Sequence, residues 1–264
     1  MMALADPLAI VASLGAPFGL ERSVKFAPGR MLEDRYLATI HRKALGDAPI
    51  ERLTSMGRAL CMPQPVLDAL PTALEGAEII HFGRECEAQG EIFKIYFEYV
   101  AALRAALKAR PRKPTLLHRA FKWTPGPDGA LHVTTYTWQP CRTYDEIEAH
   151  LADPAFGASP GATCARALIA RMERRTGAGE LLLMSVEEPG NPRRSLDLNL
   201  YGAGLLVGTV SDLLERAALD LDAPVLETRA ALLRCADKRF GHISLGVGRR
   251  GEPFFTIYFG VEEG

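Results

Sequence analysis

Four segments of the chain carry the same short pattern, in which a polar residue and a tyrosine flank one spacer residue. They are Lys94-Ile95-Tyr96, Thr134-Thr135-Tyr136, Asn199-Leu200-Tyr201 and Thr256-Ile257-Tyr258. Because successive side chains of a β-strand point to opposite faces, the polar residue and the tyrosine share one face of each strand. The chain is therefore constrained to a repetitive sheet that has a polar face bearing tyrosines.

Each pattern lies in the second strand of a predicted hairpin, recognised from turn residues and period-two alternation. The predicted strand pairs are Glu78–Glu85 with Ile92–Val100, Thr115–Thr124 with Ala130–Trp138, Glu180–Val186 with Ser195–Tyr201, and His242–Val247 with Phe254–Val261. Residues 93–97 and 255–259 are identical at four of five positions, which indicates a repeated supersecondary unit. Strands joined by such short turns form an antiparallel sheet.

Amphipathic helical patterns separate the hairpins. They cover Val100–Ala109, Tyr144–Ala152, Ala162–Thr176, Leu205–Leu219 and Glu227–Lys238. The aliphatic strand faces need these helices as cover, so the tyrosine faces point either into the lumen of a closed sheet or into solvent. Closure is favoured because it removes exposed strand edges. We predict an α+β fold, an antiparallel β-barrel of repeated αββα units with helices outside, in a single domain over residues 1–264 with its repeats at 78–261.

The first 75 residues are ambiguous. A fifth hairpin could come only from Glu21–Arg42, where Arg22–Phe26 has the alternation of a strand. Met31–Leu45 fits a helix equally well. The number of strands therefore stays open at this point.

Composition limits the classes of function. A formal net charge of -1 gives no global field that would favour nucleic acid or an anionic membrane surface. The five cysteines, an odd number, never occur in a C-x-x-C spacing, which argues against a disulfide framework and indicates a reducing compartment. No apolar run is long enough to span a bilayer. We expect a cytoplasmic protein with no nucleic-acid or membrane partner.

Hairpins flanked by helices, with Lys94-Ile95-Tyr96 and the later tyrosine strands facing inward, resemble the ABBA-type prenyltransferases, also called PT barrels. The resemblance covers about residues 78–261. It implies an antiparallel barrel of ten strands whose inward cations bind an allylic diphosphate and whose inward tyrosines shield the allylic cation. The implied reaction is metal-independent transfer of an isoprenoid from its diphosphate to an aromatic or peptide-borne acceptor.

The resemblance and the strand faces together give candidate site residues. Those expected to bind diphosphate are Lys25, Lys94, Lys122 and Asn199. Those expected to shield the cation are Tyr96, Tyr136, Tyr201 and Tyr258. The candidate catalytic bases are Glu98 and Asp197, with Glu85 as a further inward carboxylate and Arg119 on the opposite face from Lys122. Lys94 and Glu98 could instead form an ion pair on one face, and Asp197 could bond Ser195 or a neighbouring strand.

No metal site is predicted, because His81, His118, His132 and His242 lie on different strands without metal-ligand spacing, as polar wall residues. We expect no required cofactor, with Mg²⁺ only as an ion carried by the diphosphate. Two other functions stay open. One is a non-catalytic barrel for a hydrophobic or aromatic ligand. The other is a pentein-like hydrolase, for which Cys235 near His242 would be the candidate nucleophile. The oligomeric state is left open.

Overall fold

The computed structural model describes residues 5–87, 90–126, 129–172, 177 and 181–263. The strands are β1 (Gly19–Ala27), β2 (Arg30–Leu32), β3 (Arg35–His41), β4 (Ile79–Glu87), β5 (Gly90–Glu98), β6 (Thr115–Trp123), β7 (Leu131–Gln139), β8 (Leu182–Glu187), β9 (Arg194–Asn199), β10 (Phe240–Val247) and β11 (Pro253–Glu263). The helices are α1 (Pro7–Ala12), α2 (Pro49–Ala59), α3 (Gln64–Leu74), α4 (Val100–Lys108), α5 (Tyr144–Leu151), α6 (Pro160–Met172), α7 (Ser211–Leu219) and α8 (Val225–Arg234).

The chain divides into two compact units that are interleaved in sequence. The first unit comprises Met1–Glu21, Asp34–Tyr136 and Glu262–Gly264, and the second comprises Arg22–Glu33 and Thr137–Val261. The single domain over residues 1–264 stays a prediction. Among the described residues, no helix is both long and apolar enough to cross a membrane.

In the first unit, the strands follow the order β3-β4-β5-β6-β7. One face of these strands carries large apolar side chains such as Phe82, Phe93, Ile95 and Trp123, and α2 and α3 supply the side chains that bury them. The Trp123 indole N–H donates to the Leu60 carbonyl at 3.0 Å, which ties β6 to the end of α2. The helices therefore cover the aliphatic face, as the sequence predicts.

In the second unit, the order is β8-β9-β10-β11-β1-β2. Its core joins the apolar faces of β9, β10 and β11 to side chains of α6, α7 and α8. Gly161 near the start of α6 makes this approach close, since a Cβ there would lie 3.0 Å from the Cβ atoms of Leu245 and Phe255. Phe26 of β1 stacks on Phe255 with ring centroids 4.7 Å apart.

Several element boundaries differ from the predictions. Residues 31–45 are not a helix, since they hold the end of β2, all of β3 and a 3-10 turn at Arg42–Leu45. Leu205–Leu219 is not one helix, because a 3-10 turn at Val207–Thr209 precedes α7. β9 ends at Asn199, two residues earlier than predicted. The four predicted hairpins are otherwise confirmed, although Ala88-Gln89, Pro127-Asp128, Thr176 and Glu180 lie outside the described residues.

Candidate functional site

The polar face of the first unit is organised in layers by strand register. Arg35 of β3 lies opposite Glu85 of β4, and Gly83 lies opposite Lys94 of β5. Lys94 in turn lies opposite Lys122 of β6. Directly opposed residues share a face, so these side chains form one end of the polar face. The predicted common face of Lys94, Tyr96 and Glu98 is confirmed by this register.

The cation end of this face is almost completely buried. Lys94, Lys122 and Arg35 are each 5% exposed or less. The Glu85 Oε1 atom accepts a hydrogen bond from Arg35 Nη2 at 2.5 Å and also contacts Lys94 Nζ. Lys94 is therefore paired with Glu85. Buried cations that share one carboxylate form a local electropositive site in a chain of nearly zero net charge.

Gly83 allows the close packing next to Lys94. A Cβ at this position would lie 2.6 Å from Leu37 Cδ2 and 3.0 Å from the Tyr36 carbonyl oxygen. Both distances are shorter than normal van der Waals contact. Glycine therefore lets β3 and β4 approach without displacing the lysine stem, which lies 3.6 Å from the same point.

A layer of aromatic rings follows the cation end. Tyr96 and Tyr136 have ring centroids 5.6 Å apart at an angle of 54°, and their hydroxyl oxygens are 3.4 Å apart. The His118 ring lies edge-on to Tyr136 at 5.5 Å. Both predicted tyrosines therefore lie together on the polar face, where their rings offer negative π-faces.

The other end of the face carries Glu98 between two histidines. His81 Nε2 lies 3.0 Å from Glu98 Oε2, while its Nδ1 lies 2.8 Å from Thr39 Oγ1. Glu98 lies directly opposite His118 in register. Burial acts to raise the pKa of Glu98, but the His81 hydrogen bond and the charge of His118 outweigh it and bring the pKa to about 2. The carboxylate is thus ionised at neutral pH.

The second unit holds a separate polar group around Asp197, which is 2% exposed. Both Asp197 carboxylate oxygens lie 2.9 Å from His242 Nδ1. The His242 ring stacks on Tyr258 with centroids 3.9 Å apart and planes 7° apart. Asp197 therefore orients an imidazole of the neighbouring strand β10, which agrees with the alternative that Asp197 bonds a neighbouring strand.

Three predicted site residues have other surroundings. Tyr201 begins a 3-10 turn after β9, so it does not lie in the strand as predicted. Its ring lies under the Arg239 guanidinium at 5.7 Å and 6.5 Å from the His242 ring. Asn199 Oδ1 accepts from the Tyr201 N–H at 3.1 Å and ends the strand. Lys25 belongs to the second unit, where its Nζ lies 5.2 Å from the Phe254 ring centroid.

The sequence did not predict that several further residues belong to the site. Arg35 lies in the segment that fits strand and helix equally well, so its face could not be assigned. The sequence predicts that His81 and His118 are separate wall residues. The order of the strands instead places their ring centroids 5.8 Å apart. In the strand register, His81 lies opposite Tyr96 and His118 lies opposite Glu98. This proximity can be predicted only when the neighbouring strands are known.

The thiol of Cys235 does not have the properties of a nucleophile. It is buried, and its Sγ lies 3.2 Å from the Ala231 carbonyl oxygen within α8. Burial raises the pKa of this thiol to about 11, so little thiolate forms near neutral pH.

Comparison with known proteins gives matches among solved structures only; no family model and no curated protein matches the chain. The prenyltransferase PriB, solved with product diphosphate, is similar over 91% of this chain and 79% of its own, with a TM-score of 0.62 and 15% identity. A PriB complex with L-tryptophan and dimethylallyl thiolodiphosphate gives a TM-score of 0.60 at 16% identity over the same shares.

A 6-dimethylallyltryptophan synthase from Micromonospora olivasterospora matches with a TM-score of 0.58 and 15% identity, over 91% of this chain and 81% of its own. These likenesses confirm the predicted fold class, an antiparallel β-barrel of αββα type with helices outside, and they rule out the pentein-like fold. The chain has the fold of the ABBA-type prenyltransferases.

Proposed function

We propose that this protein transfers an allylic isoprenoid from its diphosphate to an aromatic or peptide-borne acceptor, and that it needs no metal ion for this reaction. The observation that carries the proposal is the buried cation end, in which Lys94 and Lys122 lie directly opposite each other beside a layer of tyrosines. Like charges that face each other repel, and a bound anion reduces that repulsion. Similarity to a PriB structure solved with diphosphate supports the proposal.

In the proposed reaction, Lys94, Lys122 and Arg35 bind the diphosphate of the donor. The allylic carbon–oxygen bond breaks, and its electron pair leaves with the diphosphate. Buried cations stabilise the negative charge that develops on this leaving group, and in a site of low dielectric they do so more strongly than in water.

The allylic cation that remains needs π-electrons around it and protection from water. The rings of Tyr96 and Tyr136 lie next to the lysines in the layer order and supply negative faces. The acceptor ring attacks the cation, and the new carbon–carbon bond leaves the acceptor as an arenium ion. Because this ion is a strong acid, even a weak base removes its proton.

Glu98 is the proposed proton acceptor of the first unit. It lies two residues beyond Tyr96 on the same strand face, and its pKa of about 2 makes it a weak base. A weak base suits proton removal after bond formation, whereas deprotonation of a neutral acceptor beforehand would need a stronger base. Loss of the proton to Glu98 restores the aromatic ring and completes the transfer.

In the second unit, the proposed roles follow from the contact between Asp197 and His242. Asp197 orients His242, so any proton transfer there would use the imidazole with Asp197 as its positioning residue. Tyr258 stacks on this imidazole, whereas Tyr201 lies under Arg239. We therefore propose that Tyr258 is better placed than Tyr201 to shield the allylic cation. Diphosphate binding by Lys25 and Asn199 stays a prediction. The five free thiols support a cytoplasmic location.

The proposal is tested by calorimetric titration with dimethylallyl, geranyl and farnesyl diphosphate in the presence of a chelator. We expect micromolar binding of at least one donor without Mg²⁺. A hydrogen bond to a charged group contributes about 1.5–3 kcal/mol, so Lys94→Ala should weaken binding by roughly 10- to 150-fold. The matched control is Lys113→Ala, which removes an exposed lysine after α4. Absence of heat with all three donors would contradict the proposal.

A second candidate is a barrel that binds an aromatic or hydrophobic ligand without reaction. It is favoured by Glu85, which already pairs with both Arg35 and Lys94 and so lowers their attraction for an added anion. Incubation with donor and L-tryptophan, followed by mass spectrometry, separates the two candidates. Prenylated product favours the enzyme, whereas binding of tryptophan without diphosphate affinity favours the ligand-binding barrel.

A further inference from the structure

Two histidines and a carboxylate converge at the end of the polar face that lies away from the lysines. His81 comes from β4, Glu98 is the last residue of β5, and His118 comes from β6. One ligand atom from each of these residues lies within 4.8 Å of the other two. The sequence spacing gives no sign of this group, because three separate strands supply it.

The strands hold the three side chains in place. Glu98 and His118 are directly opposite each other in the β5–β6 ladder, and His81 is one layer nearer the tyrosines, opposite Tyr96. Side chains on adjacent backbone ladders need little rearrangement to meet at one point. The His81 and Glu98 side chains are 15% and 20% exposed, so an ion has a route to them while most of the surroundings are dry.

Thr39 of β3 provides an outer contact of the kind found at metal sites. Its Oγ1 lies 2.8 Å from His81 Nδ1, while His81 Nε2 points toward Glu98 at 3.0 Å. This contact orients the His81 ring, and the Thr39 hydroxyl can accept from Nδ1–H when Nε2 offers its lone pair to an ion. The ion would replace the proton now shared between His81 and Glu98.

We propose that His81, Glu98 and His118 form a binding site for a divalent transition-metal ion of the Zn²⁺ class. Two imidazole nitrogens and one carboxylate oxygen are the donor set of three-ligand zinc sites that leave a position open. Imidazole ligands favour Zn²⁺, Co²⁺ and Ni²⁺, whereas Mg²⁺ prefers oxygen ligands and keeps its waters. This site is therefore distinct from any Mg²⁺ that arrives with a diphosphate.

Glu98 supplies a carboxylate oxygen beside the two imidazoles, with its Oε2 atom 3.0 Å from His81 Nε2. An ion bound there would engage the carboxylate that we propose as proton acceptor. Metal binding is measured directly, so this inference is tested separately from the proposed function.

The test titrates metal-free protein with Co²⁺ and then Zn²⁺ at one fixed neutral pH. We expect one Co²⁺ per chain, with visible absorption bands typical of four or five ligands and without thiolate charge-transfer bands, and displacement by Zn²⁺. His118→Gln and His81→Gln should each lower the affinity by at least about tenfold, since even outer-shell changes cost 10–100-fold. The matched control is His150→Gln in α5, which should bind Co²⁺ like the wild type.

Thr39→Val keeps all three ligands and covers the case in which a histidine variant does not fold. It should retain the Co²⁺ bands and weaken the affinity by about tenfold, because the His81 ring loses its hydrogen-bond partner at Nδ1. The inference is overturned if Co²⁺ binding is unchanged in His118→Gln, if thiolate bands dominate the spectrum, or if wild-type protein binds less than one ion per chain.

Discussion

At the residue scale, Glu85 decides how the cation end is ordered. One of its oxygens contacts both Arg35 and Lys94, so three long side chains are held in one arrangement before any ligand binds. Pre-ordered side chains lose less rotamer entropy when they bind an anion. The same contact reduces the net charge that an anion meets. In the proposed reaction, affinity for the diphosphate would therefore be a balance between order and charge, and one carboxylate sets both.

Gly246 in β10 is a residue whose replacement should strongly destabilise the fold. A Cβ there would lie 2.2 Å from the Arg194 carbonyl oxygen and 2.6 Å from Ser195 Cα, both backbone atoms of β9. Backbone in a paired strand cannot move away, so Gly246→Ala should lower the free energy of unfolding by about 3 kcal/mol. Urea denaturation followed by circular dichroism measures this loss.

Gly260 serves as the control for Gly246→Ala. Its φ is +65°, but the nearest atom to an added Cβ is 3.5 Å away, at ordinary contact distance. Gly260→Ala should therefore cost only the backbone strain of a left-handed residue, about 1–2 kcal/mol. Equal losses in the two variants would show that the clash with β9 is relieved by a small shift.

Single residues were predictable where their strand was certain. Lys94, Tyr96 and Glu98 were assigned to one face from alternation alone, and the register confirms it. The partners of these residues were not predictable. Glu85, His81 and His118 meet them across strands, and a contact between strands depends on register, which a single strand pattern does not contain.

At the scale of elements, helix α5 illustrates how local sequence fixes a boundary. Thr143 accepts from the Glu146 N–H at 3.2 Å, and the Glu146 side chain accepts from the Thr143 N–H at 3.2 Å. This reciprocal capping box satisfies two N–H groups that have no partner inside the helix. The predicted start at Tyr144 is accordingly confirmed.

Thr143→Ala should lower the free energy of unfolding by about 1 kcal/mol, within the range of 0.5–2 kcal/mol for loss of a helix N-cap. Thr143→Ser retains the hydroxyl and should stay close to the wild type. Thermal unfolding of both variants gives the comparison. The cap contributes nothing if the alanine and serine variants unfold at the same temperature.

The N-terminal elements could not be predicted for a physical reason. In β3, Tyr36, Ala38 and Ile40 alternate with Arg35, Leu37 and Thr39, but the apolar residues also recur at helical spacing. Strand pairing decides the outcome, because β3 forms a ladder of seven pairs with β4. Sequence patterns of short elements cannot distinguish the two structures when both bury apolar residues.

At the scale of the whole molecule, the stability at high pH depends on buried thiols. Cys141, Cys164 and Cys235 are buried, and burial raises their pKa values from 9.0 to about 11, 12 and 11. Between pH 9 and 12 the unfolded chain loses these protons while the folded chain keeps them. Fewer protons on the unfolded state mean that stability falls as pH rises through this range.

We expect the free energy of unfolding to decrease from about pH 9 upward, and Cys164→Ala to decrease less steeply than the wild type because it lacks one of the three thiols. Cys61→Ala, which removes an exposed thiol, is the control and should keep the wild-type slope. Denaturation curves at pH 8, 9, 10 and 11 supply the slopes. A slope of Cys164→Ala identical to that of the wild type would contradict the assignment.

Strand β5 also fixes the distance between the two ends of the polar face of the first unit. Lys94 and Glu98 are four residues apart on one extended strand, which places their Cα atoms about 13 Å apart, with Tyr96 halfway. A backbone in a paired ladder cannot stretch, so mutation of neighbouring side chains cannot alter this interval. In the proposed reaction, donors with one or several isoprene units would meet the same interval at their reactive end, so selection of chain length would depend on the path of the unreactive tail.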